Sequence, residues 1–196
     1  QDLPEFVLRF GAVAVTLGST VRRNKLCPDG VLRKIHSIDA CHLTSSHRGT
    51  LSDMLSGLPN SEYMIDTFSI DSLNESKSFW SFAFECDRHA LKNRQRPLHP
   101  DVFVCDRLKG QPETLSKWYP EVRVDDCVFH LKENLQKPEN GRANKEEIAL
   151  FKKYFSSENL EDAAENKIEL TDNVSDQLRN YLNNSVFDGN SHPNRF

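Results

Sequence analysis

The chain has 196 residues, of which 37% are hydrophobic and 28% are charged, so it is long enough to bury a sizeable core. The formal net charge of −4 argues against tight DNA binding by this segment alone, because DNA-binding domains are usually basic. No run approaches the ~18 apolar residues of a membrane span. Five cysteines without a secretory signal indicate reduced thiols, so we expect an intracellular protein that is not secreted.

The first 70 residues contain several apolar runs. Residues 6–15 are apolar and fit either a strand or a buried helix. Ile35 and Ile38 predict a strand that ends on the carboxylate of Asp39. After a turn signal at residues 57–61, a strand is expected over residues 63–70.

A helix is expected from about residue 74 to residue 92. Apolar residues recur in it at spacings of three and four, which predicts a core-facing side. That side comprises Phe79, Phe82, Ala83 and Cys86. The basic loop after this helix and its neighbours supply four cations that could contact phosphates, although a charge run is more often a solvated surface. These residues are Arg48, Arg94, Arg96 and Lys109.

Residues 102–118 have the clearest pattern in the chain. Residues 102–105 are a short apolar run typical of a buried strand, and Asp106 follows the run directly. A helix is predicted over residues 111–118, because Pro112 suits its first turn and Pro120 prevents its extension. A carboxylate at the carboxyl end of a buried strand is where α/β sheets place their chemistry.

A second strand and helix follow. Residues 122–124 extend again, and Asp125 or Asp126 is predicted to cap a helix that carries Cys127 and His130. Cys127 and His130 are one helical turn apart, so they would share a face. In the preceding helix, Leu115 and Trp118 also share a face, and we interpret Trp118 as a core residue.

The character of the sequence changes after residue 136. Residues 137–142 read as a linker, and a helix opens after Asn144. Residues 158–165 are acidic and predicted to be solvated, and residues 170–182 form the last predicted helix. We therefore divide the chain into residues 1–136 and a helical continuation over residues 137–196.

Two ordered sets of residues resemble the transposase domain of Mutator-like elements. The resemblance covers residues 34–135, with a looser likeness at residues 171–182. The first set surrounds the first acid and comprises Ile38, Asp39, Ala40, His42, Leu43, Gly49, Thr50 and Leu51. The second set follows the second acid in order and comprises Asp106, Trp118, Pro120, Cys127, His130 and Asn134.

The resemblance implies an α/β fold of the RNase H-like type, with a mixed β-sheet flanked by α-helices. It places the strands of Asp39 and Asp106 side by side, so the two carboxylates face one another. Paired carboxylates repel unless a divalent cation lies between them. The resemblance therefore implies Mg²⁺ or Mn²⁺, with two ions expected if the domain is active. The simpler alternative is that each aspartate only caps a turn.

The family supplies a third acid from a late helix. The matching position here is Asp176, where the family has a glutamate. Aspartate is one methylene shorter, so three alternatives stay open: Asp176 is the ligand, another late glutamate serves, or the copy is degenerate. Glu75 is a weaker candidate. The resemblance also places Cys127, His130 and Asn134 near the active site.

These features predict the catalytic core of a Mutator-like transposase, with DNA as partner, homo-oligomeric assembly and no membrane association. The location implied is the nucleus in a eukaryote and the cytoplasm otherwise. One alternative is a domesticated, non-catalytic RNase H-like module that binds DNA or protein. Another is a zinc-binding interaction domain, because Cys86 and His89 repeat the spacing of Cys127 and His130.

Overall fold

A computed structural model describes the chain over seven ranges, which are residues 12–16, 35–44, 49–57, 63–71, 75–92, 100–107 and 110–187. The chain divides into two compact units, Gln1–Val124 and Asp125–Phe196. The division falls before the predicted boundary at residue 136, so Cys127, His130 and Asn134 belong to the second unit.

The described residues form a mixed six-stranded sheet with the order β1-β4-β3-β2-β5-β6. Four strands pair antiparallel, whereas β2 and β5 pair parallel. The strands are β1 (Ala12–Thr16), β2 (Ile35–Leu43), β3 (Gly49–Gly57), β4 (Tyr63–Asp71), β5 (Val102–Cys105) and β6 (Arg123–Asp126). This arrangement confirms the predicted α/β class and the predicted adjacency of the strands that lead to Asp39 and Asp106.

Within the described part of the first unit, two helices accompany the sheet, α1 (Lys77–Lys92) and α2 (Gln111–Trp118). Strand residues alternate in exposure as a half-buried sheet requires: His36 and Ile38 are buried, whereas Ile35 and Asp39 are exposed. The core cluster of this unit comprises Ile38, Met54, Phe79, Trp80, Phe84, Phe103, Cys105 and Leu115. Trp118 is half-buried against this cluster, which agrees with its predicted core position.

The buried face of α1 differs from the predicted one. Phe79 and Ala83 are buried as expected, but Phe82 and Cys86 are only half-buried. Trp80 and Phe84 take their places in the core. The pattern of three and four spacings allows both choices, and packing of Trp80 and Phe84 against the sheet residues decides between them.

In the second unit, the described residues that follow β6 are mainly helical. Its elements are α3 (Val128–Leu135), a 3₁₀ turn (Pro138–Asn140), α4 (Lys145–Phe155), α5 (Leu160–Asp172), α6 (Asp176–Tyr181) and a π-helical turn (Leu182–Val186). Apolar residues from all the α-helices of this list form one core, including Leu131, Phe151, Ala163, Leu170, Leu178 and Leu182.

Helix α4 was predictable because side chains at its start form a local cap. The Asn144 side chain accepts hydrogen bonds from the backbone N–H groups of Glu146 and Glu147, at 2.8 and 3.0 Å. The Glu147 carboxylate accepts the backbone N–H of Asn144 in return, at 2.8 Å. This reciprocal cap satisfies N–H groups that the helix itself leaves unpaired.

Two helix predictions in the second unit are wrong. Asp125 and Asp126 lie within β6, and Cys127 instead precedes α3 as its N-terminal cap, without a side-chain cap bond. The predicted last helix is broken between Asp172 and Asp176, because Ser175 caps a new helix there through its hydroxyl. Residues 158–165, predicted to be acidic and solvated, are mostly exposed, and helix α5 begins within them at Leu160.

Candidate functional site

The first predicted acid lies inside a strand rather than at its end. Asp39 is the fifth residue of β2, which continues to Leu43, so the prediction that the strand stops at Asp39 is wrong. The strand continues because β3 pairs with the whole second half of β2, from Asp39 opposite Asp53 to Leu43 opposite Gly49. The Asp39 side chain is exposed, and its Oδ1 accepts the backbone N–H of Ala40 at 2.7 Å.

The second predicted acid follows the neighbouring strand. The parallel pairing of β2 and β5 joins Ile35 to Val102 and Ser37 to Val104. Continuing this register by two residues sets Asp106 beside Asp39, one residue past the end of β5. Paired residues of adjacent strands are about 5 Å apart and point to the same face of a sheet. On this register, Asp39 and the position just after β5 lie at the same level of the sheet.

A third carboxylate lies opposite Asp39 on its other side. Asp53 of β3 is the direct antiparallel partner of Asp39, so the two side chains share a face of the sheet. Burial raises the pKa of Asp53, the negative charge of Asp39 raises it further, and a backbone hydrogen bond partly opposes both. The sequence gives no sign of Asp53, because only the register of two strands reveals its position.

The main chain at Asp106 is held by a buried side chain. The Asp106 N–H donates to Oε1 of Gln111 at 3.0 Å, and Gln111 is fully buried. The Gln111 Nε2 donates to Oε1 of Glu75 at 2.8 Å, and this same oxygen accepts the indole N–H of Trp80 at 3.1 Å. Glu75, the weaker candidate for a third ligand, thus bonds to Gln111 and Trp80.

Asp176 lies in the second unit, at the first position of α6. Its side chain is 92% exposed, and Oδ1 accepts a hydrogen bond from the Arg179 guanidinium at 2.7 Å. Arg179 is also tied to the backbone, since it donates to the carbonyls of Thr171 and Val174. Asp176 therefore already has a cationic partner within its own helix.

The predicted cysteine, histidine and asparagine lie around α3. Cys127 precedes the helix in an extended conformation, and its carbonyl accepts the N–H of Leu131 at 3.0 Å. His130 is half-buried and contacts the ring of Phe129 edge to face. The Asn134 carbonyl accepts the side-chain amide of Asn140 at 2.7 Å.

The described residues supply only part of the set of ligands that the predicted metal chemistry requires. Asp39 and Asp106 supply hard carboxylate oxygens, which suit Mg²⁺ or Mn²⁺ better than softer metals. Within the described ranges, no three His, Cys, Asp or Glu side chains group closely enough to hold a metal ion. The zinc alternative requires His89, whose side chain lies outside the described part of the chain. The four predicted DNA contacts, Arg48, Arg94, Arg96 and Lys109, also lie outside it.

The family model of "Transposase, Mutator family" matches residues 65–188, which is more than half of the chain. The chain belongs to the Mutator family of transposases. The matched range includes Asp106, the residues around α3 and Asp176, whereas Asp39 precedes it. The resemblance inferred from the two ordered residue sets is thereby confirmed at the level of the family. No curated protein is significantly similar to this Mutator-family chain.

Two similar solved structures are endonuclease V of Ciona intestinalis in complex with DNA containing an inosine followed by a ribo-adenosine. One has a TM-score of 0.38 and 20% identity, and the match covers 66% of this chain and 58% of the endonuclease. The other has a TM-score of 0.36 and 18% identity, and covers 68% and 62%. The Mutator-family chain thus spans about three fifths of these structures. None of the helices in the described ranges is long and apolar enough to cross a membrane.

Proposed function

We propose that this chain is the catalytic core of a Mutator-family transposase that cleaves DNA strands and joins them to a target by divalent-metal-dependent phosphoryl transfer. The observation that carries the proposal is the parallel pairing of β2 with β5, whose register, continued past Val104, brings Asp106 beside Asp39. Membership of the transposase family supports it independently.

The chain's own part in this chemistry is to present two carboxylates at one place. Asp39 and Asp106 would hold Mg²⁺ or Mn²⁺, because adjacent negative charges are stable only with a cation between them. When bound, such ions activate a water or a 3′-hydroxyl and stabilise the leaving oxygen at a phosphodiester. The bond from Ala40 N–H to Oδ1 limits the orientations that the Asp39 carboxylate can adopt.

The remaining parts of the proposal concern the second unit and the partners. Asp176 is proposed as the third metal ligand, with Cys127, His130 and Asn134 near the scissile phosphate. The DNA backbone is proposed to meet cationic side chains, namely Arg48, Arg94, Arg96 and Lys109. We further propose a homo-oligomer that acts in the nucleus of a eukaryotic host, or in the cytoplasm otherwise.

The test is metal-dependent nicking of supercoiled plasmid DNA, followed by strand transfer of a short duplex with a free 3′-hydroxyl. We expect the wild-type chain to nick plasmid with Mn²⁺ or Mg²⁺, and to lose this activity on chelation. Asp39→Asn and Asp106→Asn should both be inactive. The matched control is Glu85→Gln, which neutralises an exposed carboxylate on α1. Equal nicking by wild type and both aspartate variants would contradict the proposal.

A second candidate function is a non-catalytic DNA-binding module that keeps the fold. The Asp176–Arg179 ion pair favours it, because the acid in the third ligand position already has a cationic partner. Gel-shift measurements distinguish the two functions. A non-catalytic module would bind duplex DNA equally with Mg²⁺ or a chelator, and would do so equally after Asp39→Asn and Asp106→Asn.

A further inference from the structure

The position of Asp106 depends on a side chain that neither the family match nor the sequence pattern singles out. Asp106 follows the last residue of β5, and the parallel pairing of β2 with β5 ends two residues earlier, at Val104. A backbone N–H at such a place needs a partner other than the neighbouring strand. Gln111, the first residue of α2, supplies that partner through Oε1 at 3.0 Å.

The bonds at the other end of Gln111 lead into the core. Its Nε2 donates to Glu75, which also accepts from the indole of Trp80. Trp80 is 1% exposed and belongs to the core cluster of the first unit. Hydrogen bonds to a carboxylate are about twice as strong as neutral ones, so Glu75 is a firm anchor. A continuous series of hydrogen bonds therefore joins the core to the main chain of Asp106.

We propose that Glu75 and Gln111 are positioning residues, which fix the backbone at Asp106 so that its carboxylate meets that of Asp39 around a divalent cation. The proposal deepens the proposed function and rests on it. A fixed backbone matters because metal chemistry tolerates misplacement of a ligand by only a fraction of an ångström. Outer partners of metal ligands commonly change metal affinity by about 10–100-fold when they are removed.

The experiment uses the full chain and combines two measurements. Mn²⁺ affinity is measured by electron paramagnetic resonance, and exchange of the Asp106 amide proton is measured by nuclear magnetic resonance. Gln111→Leu keeps a buried side chain but removes both hydrogen bonds. We expect its Asp106 amide to exchange faster and its Mn²⁺ affinity to fall by about 10–100-fold.

A double variant provides the rescue. Glu75→Gln combined with Gln111→Glu exchanges the amide and the carboxylate, so Asp106 N–H keeps an acceptor and the two side chains keep a mutual bond. We expect this pair to recover most of the Mn²⁺ affinity that Gln111→Glu alone loses by placing two carboxylates together. The matched control is Thr114→Val, which removes a buried hydrogen bond to the Gly110 carbonyl in the same helix. Its Mn²⁺ affinity should equal that of wild type.

The outcomes separate this inference from the proposed function. Wild-type Mn²⁺ binding that does not depend on Asp106 would overturn the proposed function, and the positioning role with it. Binding that depends on Asp106 but is unchanged in Gln111→Leu would overturn the positioning role alone. An unchanged Asp106 amide in Gln111→Leu, or a loss in Thr114→Val equal to that in Gln111→Leu, would also overturn the positioning role.

Discussion

Asp39 in β2 and Asp106, which directly follows β5, are related by the register of two parallel strands. Ile35 pairs with Val102, an interval of 67 positions, and the same interval separates Asp39 from Asp106. The two strands come from distant parts of the chain, with two antiparallel strands and α1 between them. The juxtaposition of the acids is therefore a property of the sheet, and their alignment follows from its register.

Neutralising either acid should abolish metal-dependent cleavage without unfolding the domain. Asp39→Asn and Asp106→Asn should each lower the rate by more than about 100-fold, beyond the usual effect of removing an outer partner of a metal ligand. In chelator, both variants should unfold at slightly higher urea concentration than wild type, because one negative charge of a repelling pair is gone. If either variant keeps the wild-type cleavage rate, the residue that it changes is not a metal ligand.

The raised pKa of Asp53 predicts a pH dependence of stability. In the folded state this carboxyl binds a proton more tightly than in the unfolded chain, so its contribution to stability is present at low pH. That contribution is lost as pH rises from the ordinary aspartate pKa through the raised one. In urea unfolding across the acidic pH range, the free energy of unfolding should fall in part as pH rises. Asp53→Asn should remove this part of the fall. A wild-type profile identical to that of Asp53→Asn would refute the assignment.

The two causes of this shift can be separated with one variant. In Asp39→Asn, the pKa of Asp53 should fall, because the charge of Asp39 raises it in the wild type. It should remain above its ordinary value, because burial is the larger cause. Carbon-detected nuclear magnetic resonance titration of the Asp53 carboxyl measures its pKa in the wild type and in Asp39→Asn. A full return to the ordinary value would make Asp39 the dominant cause.

Trp118 should act as a packing residue. It is half-buried against the first core, and Trp118→Ala should cost about 3 kcal/mol, at the low end for truncation of a tryptophan. Its Nε1 is buried without a hydrogen-bond partner in the described structure, so Trp118→Phe should cost much less. Urea unfolding compares the three proteins. A stable Trp118→Ala variant with weakened binding to duplex DNA would indicate a base-stacking role instead.

Asp176 provides a direct test of the third ligand. Asp176→Ala should change stability by no more than about 1 kcal/mol, because the ion pair that it loses is exposed. If Asp176 is a ligand, the same change should lower cleavage by about 100-fold, and Asp176→Glu should restore or raise it. Mn²⁺ titration and plasmid nicking measure these effects. Equal activity of wild type, Asp176→Glu and Asp176→Ala would remove Asp176 from the site.

Local chemistry made several elements predictable. Helix α2 runs over the predicted residues because Pro112 suits a first turn and Pro120 ends it. Strand β5 is a β-branched and aromatic run typical of a buried strand, and Asn144 caps α4 through its own side chain. The Mutator resemblance was also readable, since it consists of ordered residues rather than contacts.

Elements that depend on distant partners were predicted less well. The continuation of β2 beyond Asp39 requires β3 alongside it, and the buried face of α1 requires the sheet beneath it. The helix ends at Asp172 because Ser175 caps a new helix after it. Glu147 of α4 also accepts a hydrogen bond from the Ser175 N–H. Each of these outcomes is decided by a partner far away in the sequence.

The sequence by itself determined the family, the short β5 strand, the α2 helix and which two residues are the candidate acids. Each of these is encoded in residues close together along the chain. Only the tertiary structure decided that Asp53 lies opposite Asp39 and that Gln111 holds the Asp106 main chain. The physical reason is that strand register and burial are set by the pairing and packing of distant segments, which local propensity does not encode.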